Sequence, residues 1–239
     1  MYSLVTGAGG TVGSALCKRL DNPLGLGRGE NSMLHLDCQT VLGDVRDERL
    51  MREVFEKYYI REVYHCAAHK HVSFCESNVN EAVSNNITGT QVLARIAKEY
   101  QVKKFVYMST DKAVEPINVY GFTKRLAELI VLDAGYTVVR SGNVWGSRGS
   151  VVPKWKEQIE NDYMVTLTDP DVTRWFIAVA PLADYIASVP PLNRVFIPYD
   201  LMQKVSMLKL AQAMGARGFD IIGLQKGEKL HEKLKYDFE

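Results

Sequence analysis

Residues 3–20, SLVTGAGGTVGSALCKRL, decide the fold. Ser3–Thr6 is a short apolar run that enters a cluster of glycines, and Thr11–Leu20 carries apolar residues at Val12, Ala15, Leu16 and Leu20 with helical spacing. Between strand and helix, Gly7, Gly10 and Gly13 form G-x-x-G-x-x-G, a variant of the G-x-G-x-x-G dinucleotide turn. Gly7 permits the tight turn, Gly10 lets the backbone approach a pyrophosphate, and Gly13 lets the helix pack on the strand. The helix start at Thr11 and Val12 offers free N–H groups to phosphate. A bare tight turn would need only the glycines; the strand before them and the helix after them favour a bound dinucleotide.

The same alternation continues outward. DNPLGLGRGEN (21–31) reads as a turn-rich loop, Ser32–Asp37 as a second strand and Thr40–Leu42 as a third. Glu48–Tyr58 reads as a helix, Glu62–Cys66 as a buried strand, and Asn80–Tyr100 as a long helix. Phe105–Met108 is another strand, a helix begins near Val119, and Thr137–Arg140 is a strand. This order predicts an α/β, Rossmann-type doubly wound parallel sheet. The pattern is less regular after Gly142, which predicts a Rossmann domain over 1–142 and a smaller, partly interleaved substrate lobe over 143–239. Asp37, at the end of the expected second strand, is placed to accept hydrogen bonds from both ribose hydroxyls and to repel a 2′-phosphate, which favours NAD over NADP. Asp44 follows the third strand and either meets the adenine or caps a helix.

Composition narrows the partners. The 239 residues are 46% hydrophobic and 24% charged with net charge +1, which gives a full core and no electrostatic footprint for nucleic acid. Cys17, Cys38, Cys66 and Cys75 show no paired spacing and read as reduced thiols of a cytoplasmic protein. His65, His69 and His71 lack a second ligand cluster, so no metal site is expected. The most apolar stretch, 175–192, is broken by Pro181, Asp184 and Pro190 and is no membrane span. The first strand starts almost at Met1, so no targeting segment is expected ahead of it.

STDKAVEPINVYGFTK (109–124) carries the chemistry. Tyr120 and Lys124 are i and i+4 on one helix face, where an ammonium favours the phenolate of its neighbour. Such a tyrosine takes a hydroxyl proton while a hydride leaves the same carbon. Thr110, at the end of a strand, is placed to hold the substrate oxygen. Asp111 and Lys112 add an adjacent acid and base. Once a sugar C4 is a ketone its C5 hydrogen is acidic; a base removes it while an acid protonates the departing C6 hydroxyl. A plain loop salt bridge is the alternative for such a pair in isolation.

With the glycine turn, the YxxxK pair resembles the extended short-chain dehydrogenase/reductase superfamily. The ordered set VTGAGGTVGS (5–14), CAAHKHV (66–72), NNITGT (85–90), STDKAVEPINVYGFTKRLAE (109–128), RSGNVWGSRGSVVP (140–153), VTRWF (172–176) and GEKLHE (227–232) resembles, more narrowly, the soluble UDP-N-acetylglucosamine 4,6-dehydratases of the polysaccharide-biosynthesis family. The resemblance implies an NAD(P)-dependent lyase that converts UDP-N-acetylglucosamine to a 4-keto-6-deoxy sugar, with inversion at C5, and acts as a homo-oligomer. By position it implies Thr110 on the C4 oxygen, Tyr120 as base of the hydride step with Lys124 as partner, Asp111 as the C6 acid and Lys112 as the C5 base. It places Val45, Ala67 and Ala68 along the cofactor and Lys70 in the sugar site, with Asn86 in support. Asn143, Arg148, Ser150 and Val151 would line the entrance, with Thr173, Arg174, Glu228 and Lys229 over the diphosphate and uridine. Gln225-Lys226 stand where the family has Arg-Pro. A C4 epimerase would use Tyr120 and Lys124 without Asp111 and Lys112, and a non-catalytic nucleotide-sugar-binding protein is the third reading.

Overall fold

In the computed structural model, which describes residues 1–237, the chain opens with β1 (Tyr2–Thr6), the glycine turn and α1 (Thr11–Cys17). There follow β2 (Pro23–Gly27), α2 (Glu30–Met33), β3 (Gln39–Leu42), α3 (Glu48–Tyr58) and β4 (Ile60–His65). Next come α4 (Val72–Ser77), α5 (Val79–Val83), a π-helical turn at Ser84–Thr88 and α6 (Gly89–Glu99). β5 (Lys104–Thr110) ends in a 3₁₀ turn at Asp111–Ala113 and leads to α7 (Val119–Asp133) and β6 (Thr137–Ser141). Beyond these lie β7 (Asn143–Val144), α8 (Val151–Glu160), β8 (Val165–Leu167), β9 (Thr173–Ile177), α9 (Val179–Ser188) and β10 (Val195–Phe196). The described chain closes with β11 (Met202–Ser206), α10 (Met207–Ala213) and β12 (Phe219–Ile221).

The main sheet has the order β10-β6-β5-β4-β1-β2-β3, with every pairing parallel. Parallel strands need helical crossovers, so both faces are covered and the central strands read as apolar runs. One face packs Leu4, Val63, Phe105 and Val138 against α3, α6 and α7; the other packs Val5, Tyr64, Val106 and Val139 against α1 and α9. The sheet and register are those of the doubly wound fold. β10 and α9, beyond residue 142, belong to this layer, while β8, β12, α8 and α10 build a separate cluster around Trp155.

The second strand corrects the sequence reading. It is Pro23–Gly27, inside the stretch expected to be a loop, and residues 32–37 form the end of α2 and a turn. Proline and two glycines disguise PLGLG, since these residues are depleted in strands. Pro23 stands at the first position, where a strand tolerates it. Leu24 and Leu26 are fully buried, and at Gly25 a Cβ would meet Ala8 at 3.0 Å. The long helix was legible as one unit, but its middle turn widens at Ser84–Thr88 and points Asn85 and Asn86 into the interior.

Candidate active site

The site lies at the carboxyl edge of the sheet, where parallel α/β folds bind ligands. Gly7 has φ +65°, and a Cβ there would stand 2.8 Å from Ala67 N; a Cβ on Gly13 would stand 2.3 Å from Gly7 O. The turn is therefore pressed against both the β4 exit and its own helix, closing a cradle only backbone can line. A cavity beside it is bounded by Gly7, Arg28, Asp44, Val45, Ala67 and Ala68. Five of the residues expected along a dinucleotide thus come together, and the glycine cradle fits its pyrophosphate.

Asp37 does not join them. It is exposed and lies two residues before β3, whose Gln39 pairs with Leu24 and whose Leu42 pairs with Gly27. It lies at the amino edge of the sheet, opposite the cavity. Arg28 directly follows β2 and takes the place assigned to a carboxylate. Its guanidinium lies 3.4 Å from Asp44 and 3.3 Å from Glu81. Arg46 grips the same two carboxylates more tightly, at 2.6 and 2.8 Å. Burial would raise the Asp44 carboxyl, but the Arg46 contacts outweigh it and hold it below the usual range. Asp44 is not a helix cap: Asp47 caps α3 by accepting from Leu50 N at 3.0 Å. Arg28 went unread because its signal, an arginine after a short apolar run, was hidden with the strand itself; Arg46, after the correctly read β3, acts by pairing Asp44 and Glu81, a contact no local pattern shows.

The catalytic candidates meet at the end of β5. Thr110 Oγ1 donates to Asp111 Oδ1 at 2.9 Å, and Lys112 Nζ lies 3.0 Å from the same oxygen. Asp111 is fully buried, and its Oδ2 has no hydrogen-bond partner among the described residues. Burial alone would depress the Lys112 ammonium, but the carboxylates of Asp111 and Glu232 outweigh it and hold it above the ordinary lysine value. Lys112 therefore rests as an ammonium. The α7 start is pinned by Asn118, whose Oδ1 accepts from Gly121 N at 2.7 Å while its Nδ2 donates to Gly227 O at 2.7 Å. At Gly121 a Cβ would stand 2.4 Å from Lys112 O, so the glycine of YGFTK lets the helix press on the acid–base turn.

Tyr120 and Lys124 both face inward from α7, but their resting electrostatics depart from expectation. Lys124 Nζ donates to Met108 O at 2.6 Å and lies 4.0 Å over the Tyr107 ring. Burial brings its pKa down to about 7. Burial also pushes the Tyr120 phenol well up, with the Thr110 hydroxyl working against it and Asp111 adding to it. The ammonium does not lower the phenol in this state; a protonated tyrosine and a readily neutralised lysine share the site. His65, buried and bonded to Thr6 and Thr90 at 2.6 and 2.9 Å, is held near pKa 3 by burial and is structural. No cluster of metal-ligating side chains occurs among the described residues.

The expected substrate residues divide. Asn86 braces the β4 exit, accepting from His69 N at 2.8 Å and donating to His69 O and Thr123 Oγ1 at 3.0 Å. Lys70 Nζ donates to Arg148 O at 2.7 Å, and Arg148 in turn donates to Gly9 O, so both span the cleft mouth. Asn143 donates to Trp175 O at 3.4 Å, and Ser150 and Val151 start α8, with Ser150 Oγ buried and unpartnered. Arg174 is not a free cation: it binds Glu228 at 2.6 Å and Leu230 O at 3.0 Å. Thr173 bonds His231 at 2.8 Å, and Lys229 donates to Val114 O at 2.6 Å. These four tie the terminal segment over the site. Lys226 turns away to Glu76 at 3.3 Å.

Fold and site together define a Rossmann-type protein of the extended short-chain dehydrogenase/reductase kind. The chain belongs to the family described as polysaccharide biosynthesis protein, whose model matches residues 26–239. It is 39% identical to the capsular polysaccharide biosynthesis protein CapD of Staphylococcus aureus over 97% of this chain, but spans only 44% of that relative's length. It is 36% identical to a UDP-N-acetylglucosamine 4,6-dehydratase (inverting) of Campylobacter jejuni, over 87% of this chain and 68% of the relative. A UDP-glucose 4-epimerase of Rickettsia felis is 32% identical over 81% of this chain and 60% of its own. Among solved structures, Pen from Bacillus thuringiensis superposes with a TM-score of 0.90 at 30% identity, covering 98% of this chain and 82% of that one.

Proposed function

We propose that the protein catalyses the 4,6-dehydration of UDP-N-acetylglucosamine, with inversion at C5. The observation that carries the reading is the Asp111–Lys112 pair, 3.0 Å apart beside Tyr120, with Asp111 fully buried, Lys112 half-buried, and Asp111 Oδ2 unpartnered among the described residues. An epimerase needs Tyr120 and Lys124 but has no use for a second acid and base next to them; the epimerase among the relatives keeps that rival in view. The dehydratase relative supports the substrate assignment. A purely binding protein would not need to bury Asp111 against Lys112 beside Tyr120.

NAD is the cofactor of this reading, and when bound it accepts hydride from C4 and returns it to C6. Gly7, Gly10 and Gly13 would hold its pyrophosphate, and Asp44, Val45, Ala67 and Ala68 its adenosine and ribose. Arg28 leaves NADP admissible, because no carboxylate at the β2 end excludes a 2′-phosphate. Thr110 orients the C4 oxygen; Tyr120, once its phenol has passed its own proton to the neutral amine of Lys124 one helical turn away, takes the C4 hydroxyl proton. Lys112, having passed its proton to Asp111, receives the C5 proton. Asp111 delivers its own to the C6 oxygen, which leaves as water. The resting ion pair is thereby restored, and as hydride returns to C6 the C5 carbon takes the proton that Tyr120 received from the C4 hydroxyl, delivered on the face opposite Lys112 as inversion requires. The reaction is tested by mass spectrometry of the nucleotide sugar after incubation: a product lighter by one water is expected, and an epimer of unchanged mass would overturn the reading.

The partner surface belongs to this proposal as well. Val79 and Val83 of α5 and Phe122, Leu126 and Leu129 of α7 form one exposed apolar face. Such a continuous face suits a second copy of the chain, since homodimer interfaces are more apolar than ordinary surface.

A further inference from the structure

Glu232 is a carboxylate to which dehydration assigns no task, yet it is buried at 5% exposure beside the acid–base pair. Its segment runs alongside β9. Thr173 N donates to Leu230 O at 3.1 Å, and Trp175 Nε1 donates to Glu232 O at 3.2 Å. These bonds fix the backbone and aim the side chain inward. Oε1 lies 3.6 Å from Lys112 Nζ, and Oε2 lies 3.4 Å from Lys229 Nζ while making no hydrogen bond among the described residues. Lys112 is thus held between two carboxylates, Asp111 and Glu232. The other groups around this cluster are Tyr120 from α7 and Arg174 from β9, the latter already neutralised by Glu228.

Dehydration makes Lys112 gain a positive charge inside this enclosure. The C5–H bond breaks and its proton joins Lys112 Nζ. The electron pair becomes the C5–C6 double bond as the C6–O bond breaks, and the Asp111 proton leaves with that oxygen as water. Until that proton has left, Asp111 is neutral, and Glu232 is the anion within ion-pair reach of the forming ammonium. In a site of low dielectric, a fixed anion there lowers the barrier more than it would in water.

We infer that Glu232 is a positioning residue for C5 deprotonation: it orients the Lys112 amine and stabilises its protonated form as the proton arrives. Glu232 itself neither gains nor loses a proton. The inference rests on the dehydration reading.

The test uses the full chain with NAD and UDP-N-acetylglucosamine in deuterated water, comparing wild type, Glu232→Gln and Glu232→Asp. The Gln variant is expected to keep its KM within about threefold and to lose about tenfold or more in C5 deuterium incorporation. Without the second carboxylate Lys112 binds its proton less tightly. The rise of rate with pH should therefore move to lower pH, and Glu232→Asp should restore part of both rate and profile. Thermal melts of the variants separate folding from function. A Gln variant with wild-type rate and pH profile would overturn the inference alone. So would a rate loss with an unmoved profile, matched by Asp and tracking a lowered melting temperature. A wild type that dehydrates nothing would overturn the dehydration reading and this inference with it.

Discussion

At the scale of the residue, the proposed acid–base pair and tyrosine–lysine pair stand together in one stretch of sequence, because the proposed chemistry needs those side chains adjacent in the chain or one helical turn apart. What could not be read was their resting charge. Lys124 illustrates this: burial sets it near 7, against an ordinary value of 10.5. Between those values the unfolded chain holds more protons than the folded one, so this group weakens the fold as pH falls from about 10.5 to about 7, with no further change below. Lys124→Met should therefore gain stability relative to wild type over that interval, read as the difference in melting temperature against pH, while losing turnover. A difference independent of pH would contradict the shift. Lys112→Ala is expected to bind the dinucleotide normally and to show no C5 exchange; normal turnover in that variant would remove Lys112 as the base. Glu232 and Arg28 were illegible for a different reason. Each acts through a long-range contact, one across more than a hundred residues of chain and the other at the end of a disguised strand.

At the scale of the element, periodicity located the strands with buried aliphatic runs and the amphipathic helices, while β2 was missed because Pro23, Gly25 and Gly27 interrupt its two buried leucines. The error propagated, since a misplaced strand end transferred the ribose contact from the Arg28 position to Asp37. Exchange of Arg28 for Ala should weaken NADP binding more than NAD binding, measured by titration of each cofactor; equal losses would show that Arg28 does not face the 2′ position. The contact between α7 and the turn after β5 makes a second prediction. In Gly121→Ala the new methyl meets the Lys112 carbonyl, so the helix must withdraw from the acid–base pair. We expect a loss of about 1–3 kcal/mol in stability. A displacement of even about 1 Å costs on the order of a hundredfold in rate. An unchanged rate would show that the spacing of α7 and the turn is not critical.

At the scale of the whole molecule, the terminal segment is what completes the site. It is tied by Arg174 to Glu228, Asn118 to Gly227, Lys229 to Val114, and Tyr236 to Ala113 O at 2.8 Å. It joins β9 to the turn after β5, so that turn is enclosed by the sheet on one side and the terminal segment on the other. The charged residues expected over the diphosphate, Arg174, Glu228 and Lys229, bind one another or backbone in place of open substrate contacts. The opposite face of α7 bears the proposed dimer surface, and Leu126→Glu is expected to yield a monomer by light scattering where wild type is a dimer; a monomeric wild type would contradict that surface. The central claim, that this enclosure removes water from a nucleotide sugar, is tested most directly by proton NMR of the protein with NAD and UDP-N-acetylglucosamine in deuterated water. The account predicts a new C6 methyl signal with deuterium at C5. Appearance of UDP-N-acetylgalactosamine without a methyl signal would contradict it and make the protein an epimerase.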